Sequence, residues 1–191
     1  MRQSMLNKIA AVTSHMINLI AVCSMLLISQ TSLAESHQAA ATGAFNPELF
    51  PDEHCLALNI YFEARGSNMA DKLAVADVVL NRVRDNRFPD TICEVVYQGK
   101  QKPSWKDETK MVMVRHKCQF SWYCDGKPDD PKNLDLWNEA KMLAWRISKF
   151  GDFRGITEGA THYHATYVNP EWARTLQQVG RIGAHIFYRW E

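Results

Sequence analysis

Glu63 stands in the stretch Leu58-Asn-Ile-Tyr-Phe-Glu-Ala-Arg-Gly66, and its position there suits acid chemistry. The run from Asp52 has an acceptor-bearing cap, contains no internal Pro or Gly, and stops at Gly66, which can take the left-handed conformation past a helix end. It therefore reads as a helix capped by Asp52, with Glu63 in its last turn. There the partial negative charge of the helix end opposes ionisation, and Tyr61 and Phe62 supply apolar walls that oppose it further. A carboxyl held protonated near neutral pH can hand its proton to a poor leaving group, and a glycosidic oxygen is one that needs it. Taken alone, Glu63 reads first as a solvated helix-end glutamate paired to Arg65 or a lysine, and the rest of the chain changes that reading.

Other groups with chemical capacity lie downstream. His162 and His164 are two residues apart, so in a strand they share one face. With His185 or His116 they could ligate a metal, and without one they could donate to a sugar or make ordinary polar contacts. Trp105, Phe120, Trp122, Tyr123, Tyr163, Tyr167 and Trp172 concentrate in loop-rich stretches, where they suit either the apolar faces of saccharide rings or small satellite cores. Gln119, Ser121 and Asp125 lie in or beside the segment bounded by Cys118 and Cys124, a rigid frame for polar contacts. No Gly-x-Ser-x-Gly elbow surrounds Ser121, so a serine-hydrolase triad has no support.

The elements that would position these groups are mostly helical. Asn68 caps a second helix with Asp71 at its third position, and Leu73, Ala76, Leu80 and Val83 form one face. Val75, Val78 and Val79 make its other faces apolar, which predicts the central buried helix. At its far end Asn81 and Arg82 read as capping and pairing residues ahead of substrate contacts. Pro89 stops that helix. Thr91–Gln98 suits a short helix or an extended run, Gly99–Lys117 reads as lysine-rich and irregular, and Cys118–Cys124 as a small clamped hairpin. A third long helix spans about Leu134–Phe150 with Gly151 as its stop. Ala160–Tyr167 is extended, Pro170–Arg174 one helical turn, and Arg181–Arg189 a closing strand.

At 191 residues the chain has room for one domain of moderate size. Residues 1–34 read as a signal peptide: Arg2 and Lys8 begin it, Leu19–Ile28 is mostly apolar, and Ser32-Leu33-Ala34 has small residues at the expected cleavage point. A retained membrane tether is the second choice, and Cys23 lacks the context for lipidation. Residues 35–50 form a small, polar, flexible lead-in, and residues 51–191 form the domain. Beyond the leader, 20 Lys+Arg stand against 21 Asp+Glu, which excludes the basic footprint usual for nucleic-acid binding. The exported part keeps Cys55, Cys93, Cys118 and Cys124, an even set suited to two disulfides. Cys118–Cys124 is the preferred local clamp. Cys55–Cys93 is the preferred long closure, because antiparallel helices bring those positions together; the two loops are worth about 2 and about 4 kcal/mol on the chain-entropy model.

Ordered blocks along the chain carry a family resemblance. Ile60-Tyr-Phe-Glu-Ala-Arg-Gly66, Val75-Ala-Asp-Val-Val-Leu-Asn-Arg-Val83, Phe88-Pro89 and Val95-Val-Tyr-Gln98 resemble the SleB/CwlJ-type cell wall hydrolases. Cys118-Gln-Phe-Ser-Trp122, Ala160-Thr-His-Tyr-His164, Pro170-Glu-Trp-Ala-Arg174 and Ile182-Gly-Ala-His-Ile-Phe-Tyr-Arg189 are closer to the CwlJ-like branch. The resemblance implies a lysozyme-like α+β single domain, mainly helical with a small β and loop region. It implies cleavage of peptidoglycan glycan strands between N-acetylmuramic acid and N-acetylglucosamine, with Glu63 as the catalytic acid. The expected substrate contacts are Tyr97, Gln98, Gln119, Phe120, Ser121, Trp122, Asp125, His162, Tyr163 and His164. No cofactor or metal belongs to this reading. The protein is expected as a monomer in the periplasm or cell envelope.

Two-carboxylate hydrolysis would need a second acid, with Asp125 the first choice and Asp77 the second. Without one, Glu63 can act next as base while the sugar's own 6-hydroxyl closes an anhydro ring, the lytic transglycosylase route, which is favoured. A metal-dependent amidase or peptidase on His162, His164 and His185 is the competing enzyme, and a wall-binding module the competing non-enzyme.

Overall fold

The computed structural model describes residues 46–191. The expected leader, Cys23 and most of the lead-in lie outside the described residues. Four helices, a hairpin and a three-stranded antiparallel sheet make up the described part. This is the expected mainly helical α+β class.

Helix α1, Pro51–Ala64, is the hub, packing against every other helix. The second helix, expected as the central buried one, is likewise buried through residues 73–79 and packs against each of the others, so the two share the centre. Leu56, Ala57, Leu58, Asn59, Ile60 and Tyr61 are buried in one run, so α1 is enclosed on all sides through its middle. Its start differs from expectation: Phe50 is the N-cap and Pro51 takes the first turn, where its fixed φ suits a helix and its missing N–H costs nothing. Asp52 is inside the helix, and its carboxylate accepts the Cys93 N–H at 3.1 Å. Gly66 is not left-handed. Instead Arg65 N–H returns to the Tyr61 carbonyl and Ser67 N–H to that of Ala64, because the chain must turn at once into the cap of the next helix.

That helix, α2, runs Met69–Arg84, with the Asn68 side chain accepting the Asp71 N–H at 2.9 Å as expected. A short α3, Ile92–Val96, is capped by Thr91, which resolves the ambiguity there in favour of helix. The Cys55–Cys93 disulfide fastens it to α1, and Cys118–Cys124 closes the second bridge, both in the preferred pairing. The supposedly irregular stretch is a hairpin, β1 Gly99–Pro103 with β2 Met111–Cys118. Its side chains are mostly exposed on both faces, so it carries little of the alternation by which a half-buried strand is recognised. The clamp at its end is not a hairpin but a 3-10 turn, Ser121–Cys124, with Trp122 and Cys124 turned inward.

Helix α4, Leu134–Phe150, packs along α1 and ends at Gly151 with φ +69°, a conformation that favours glycine. Two backbone N–H groups at its start, from Lys132 and Asn133, donate to the buried Tyr61 hydroxyl at 3.0 Å each. The sheet has the order β3–β5–β4, from His162–Ala165, His185–Arg189 and Gln177–Ile182. A 3-10 turn at Glu171–Thr175 follows Pro170, close to the expected helical turn. Phe187 and Ala160 pack on Ala74 and Val78 of α2, and Tyr163 joins them at the edge. The sheet is thereby pinned beside the end of α1 that carries Glu63.

Candidate active site

Glu63 lies between two lobes of one groove, and both lobes share Phe62, Glu63 and Ser121 in their walls. The first, about 410 Å³, adds Arg82 from α2, Gln119 and Phe120 from the clamp, and Tyr163, His164 and His185 from the sheet. The second, about 450 Å³, adds Arg65, Trp122 and the acidic loop Asp125–Lys132. A larger open hollow of about 520 Å³ lies near Asn81, Arg84 and Asp85 at the C-terminal end of α2, and Glu63 is not in its walls. Asn81 there is committed to the fold, donating to Thr157 Oγ1 and the Ala160 carbonyl and accepting from Arg154.

Each wall has a local cause. Phe62 stacks on Trp122, with ring centroids 4.9 Å apart and planes 20° apart. Trp122 is fixed by its indole N–H, which donates to the buried Asn59 Oδ1 at 3.0 Å. The disulfide-closed turn is thereby held against the last turns of α1. Tyr163 reaches across from β3 and donates its hydroxyl to Glu63 Oε2 at 3.0 Å.

Glu63 is partly buried, and desolvation raises its pKa, against opposing pulls from the Tyr163 hydroxyl, His185 and Arg82. The direction agrees with the sequence argument for a protonated acid. Tyr163 is pushed well above the usual phenol range by burial and then by the Glu63 charge, so it remains a donor. Behind it His185 Nδ1 lies 2.7 Å from Asp71 Oδ1. Burial alone would raise the Asp71 pKa, but hydrogen bonds from His185 and Ser67 and the His185 charge hold it below the usual carboxylate range. Gly183 makes this pair possible: at φ +55°, a Cβ there would stand 2.7 Å from the Asp71 side chain.

Of the predicted contacts, Gln119, Phe120, Ser121, Tyr163 and His164 line the first lobe, and Ser121, Trp122 and Asp125 line the second. Tyr97, Gln98 and His162 line neither. Tyr97 packs behind the clamp on Tyr123 and Trp122, and the Gln98 carbonyl accepts the Gln119 N–H. His162, at the start of β3, packs against Phe88, Trp172 and Trp190. Its pKa is lowered to about 4 by burial and then by Arg82 and Arg87.

The alternative histidine metal set does not assemble. In the β3–β5 register His162 and His164 pair with Tyr188 and Ile186 on one face, while His185 shares the other with Phe187 and Tyr163. No cluster of three or more His, Cys, Asp or Glu suited to a metal occurs among the described residues. Asp77 is fully buried and accepts from Arg154, Gly155 N–H, Thr157 N–H and Thr157 Oγ1. It is a structural hub and not a second catalytic carboxylate. Asp125 does reach the groove, where its Oδ1 accepts the Lys127 N–H at 2.8 Å.

Sequence reasoning undervalued Arg82 and assigned Asp71 only to capping and His185 only to a possible metal. The period-two pattern of the closing strand puts His185 on the same inward face as Phe187, which was the available signal for its place.

Comparison with known proteins agrees with this architecture. The spore cortex-lytic enzyme of Oceanobacillus iheyensis is 27% identical over 141 residues, covering 71% of this chain and 41% of that protein. The spore cortex-lytic enzyme of Halalkalibacterium halodurans is 27% identical over 148 residues, covering 71% of this chain and 34% of that protein. The chain thus spans less than half the length of these curated relatives. Among solved structures, the catalytic domain of the Bacillus cereus SleB protein superposes with a TM-score of 0.51 at 25% identity, covering 72% of this chain and 89% of that one. The catalytic domain of the germination-specific lytic transglycosylase SleB from Bacillus anthracis gives 0.51 at 24% identity, covering 72% and 93%. The lysozyme-like α+β fold is the one shared with these domains. The profile of the Cell Wall Hydrolase family matches residues 66–188, beginning just after Glu63, and the chain belongs to that family.

Proposed function

We propose that this protein cleaves peptidoglycan glycan strands between N-acetylmuramic acid and N-acetylglucosamine, with Glu63 as general acid. The observation that carries the reading is the Glu63 carboxyl itself: desolvated, oriented by the Tyr163 hydroxyl, and placed where two lobes of one groove meet. A saccharide chain laid along the groove would put a ring in each lobe and the bond between them at Glu63. Family membership and the two spore cortex-lytic relatives support a wall substrate. The leader reading of residues 1–34 puts the enzyme in the periplasm or cell envelope.

The favoured route is lytic transglycosylation. Glu63 gives its proton to the glycosidic oxygen as the C1–O bond breaks and positive charge develops at C1. Glu63, now ionised, takes the proton of the muramyl 6-hydroxyl as O6 bonds to C1, which closes a 1,6-anhydro ring and restores the acid. The first lobe supports this route because its walls hold no second carboxylate beside Glu63, Asp71 standing behind His185. A hydrolytic variant would draw on the acidic loop of the second lobe, Asp125 first.

The test is to digest purified peptidoglycan, reduce the products with borohydride and identify the sugar ends by mass spectrometry. Anhydromuramic ends are expected. Reducible muramic ends would replace transglycosylation by hydrolysis, and cleaved peptide stems with intact glycan would overturn the reading.

A further inference from the structure

Arg82 is the one arginine or lysine in the walls of the first lobe, and it is 4% exposed. Its guanidinium lies between two aromatic rings, 5.2 Å from the Phe88 centroid and 5.1 Å from that of Phe120. Its Nε donates to the Thr161 carbonyl at 2.7 Å, which fixes the plane of the group. Its Nη1 is buried and has no hydrogen-bond partner. A charged donor left unpaired in a protein interior is costly, so a position that holds one calls for an acceptor that arrives at some stage of the cycle.

The groups facing Glu63 narrow that acceptor. From β3, the Tyr163 hydroxyl is already given to Oε2, and His164 is bonded to Tyr188 and the Ala165 carbonyl. From β5, His185 is held by Asp71 of α2. Gln119 and Ser121 of the clamp are neutral. The carboxyl in that wall is Glu63, and the Arg82 charge already acts on it.

We propose that Arg82 is the positioning residue of the second half-reaction: once Glu63 has released its proton, its carboxylate is held by Arg82 Nη1. The inference rests on the acid role given to Glu63 above. Before proton transfer, Tyr163 orients the neutral acid. Afterwards Arg82 supplies the second donor and the opposite charge, so the anion persists in a desolvated site long enough to act as base. The aromatic clamp and the Thr161 carbonyl keep the guanidinium in place across both steps, so the change of partner is made by the Glu63 carboxyl turning towards it.

The experiment uses the intact protein, with ¹³C-labelled glutamate carboxyls and ¹⁵N-labelled arginine side chains, followed by NMR across pH. The Glu63 signal is identified by its absence in Glu63→Gln. In the unsubstituted protein, the Arg82 Nη signals should move with the Glu63 midpoint, and that movement should vanish in Glu63→Gln. In Arg82→Gln the Glu63 midpoint should rise by about one unit, because an opposite charge has been removed, and Arg82→Lys should return it at least halfway. Arg82 signals that ignore the Glu63 titration would overturn the proposal, as would an unchanged midpoint in folded Arg82→Gln. The measurement on the unsubstituted protein decides the matter even where Arg82→Gln does not fold. These readouts involve no glycan, so their failure leaves the acid role of Glu63 to be judged by cleavage alone.

Discussion

Asp77 offers a sharp test because the sequence allows it a chemical role and the structure gives it a different one. Its carboxylate is fully buried and takes four donors: Arg154 Nη1 at 2.6 Å, Gly155 N at 3.1 Å, Thr157 N at 3.1 Å and Thr157 Oγ1 at 2.6 Å. Through these bonds α2 holds the segment that leads into β3, and β3 carries Tyr163 to Glu63. Asp77→Ala would strip the half-buried Arg154 of its counter-charge and leave two buried Thr157 donors unpaired. Breaking a pair of this kind costs about 3–5 kcal/mol. For a domain of this size that lowers the melting temperature by roughly 6–20 °C. Asp77→Asn keeps one acceptor oxygen but turns an amide N–H towards a donor, and about half the loss is expected. Urea unfolding followed by tryptophan fluorescence reads both variants. A loss below about 1 kcal/mol in Asp77→Ala would refute the structural assignment. So would a variant of unchanged stability that no longer cuts glycan, since that outcome belongs to a catalytic carboxylate.

Three further expectations follow from the same geometry. Tyr163→Phe removes the donor on Glu63 Oε2, a contact that lowers the Glu63 pKa, so the alkaline limb of the pH–rate profile should move up; a loss of about tenfold in cleavage is expected from one charge-assisted bond, and an unshifted profile would count against it. His162 has a folded pKa of about 4 against an ordinary 6.5, so between those pH values the unfolded chain binds a proton that the folded one refuses, and stability falls as pH drops through that window. The full shift corresponds to about 3 kcal/mol, which solvent screening at this partly open site reduces to about 1–2; unfolding at pH 7 and pH 4.5 should show His162→Phe with a flatter dependence than the parent. Gly183→Ala puts a Cβ into Asp71 at a positive φ, so the Asp71–His185 contact should separate with a loss of about 1–3 kcal/mol, read as a lower melting temperature.

Much of the frame was legible because its signals are local. The Asn68 cap, the apolar run after it, the Gly151 stop and the even cysteine set depend on a few neighbouring residues each, and all appear in the structure. The exposed hairpin was missed because its strands bury neither face. The start of α1 was misplaced because Asp52 has the chemistry of a cap, yet its carboxylate serves Cys93 across 41 residues of chain. The site divides in the same way. Glu63 and the clamp residues were found from helix position, side-chain type and family resemblance. Tyr97, Gln98 and His162 carry suitable side chains, but packing takes them out of the groove, Tyr97 and Gln98 behind the clamp and His162 against Trp172 and Trp190. Asp71 and His185 meet only through the docking of β5 on α2, a contact between residues more than 100 positions apart, and Arg82 reaches the Glu63 groove through the packing of α2 on α1; no local pattern encodes either.

The central claim is that the Glu63 carboxyl, and no other group, delivers the proton. The most direct measurement compares muropeptide release from isolated sacculi by the intact protein and by Glu63→Gln, with melting temperature and sacculus binding recorded for both. The glutamine keeps the shape and accepts the Tyr163 hydroxyl but has no acid proton, so release should fall by about 10²–10⁴-fold while folding and binding stay level. Release from a folded Glu63→Gln at more than about a tenth of the parent rate, far above what loss of a general acid allows, would contradict the account.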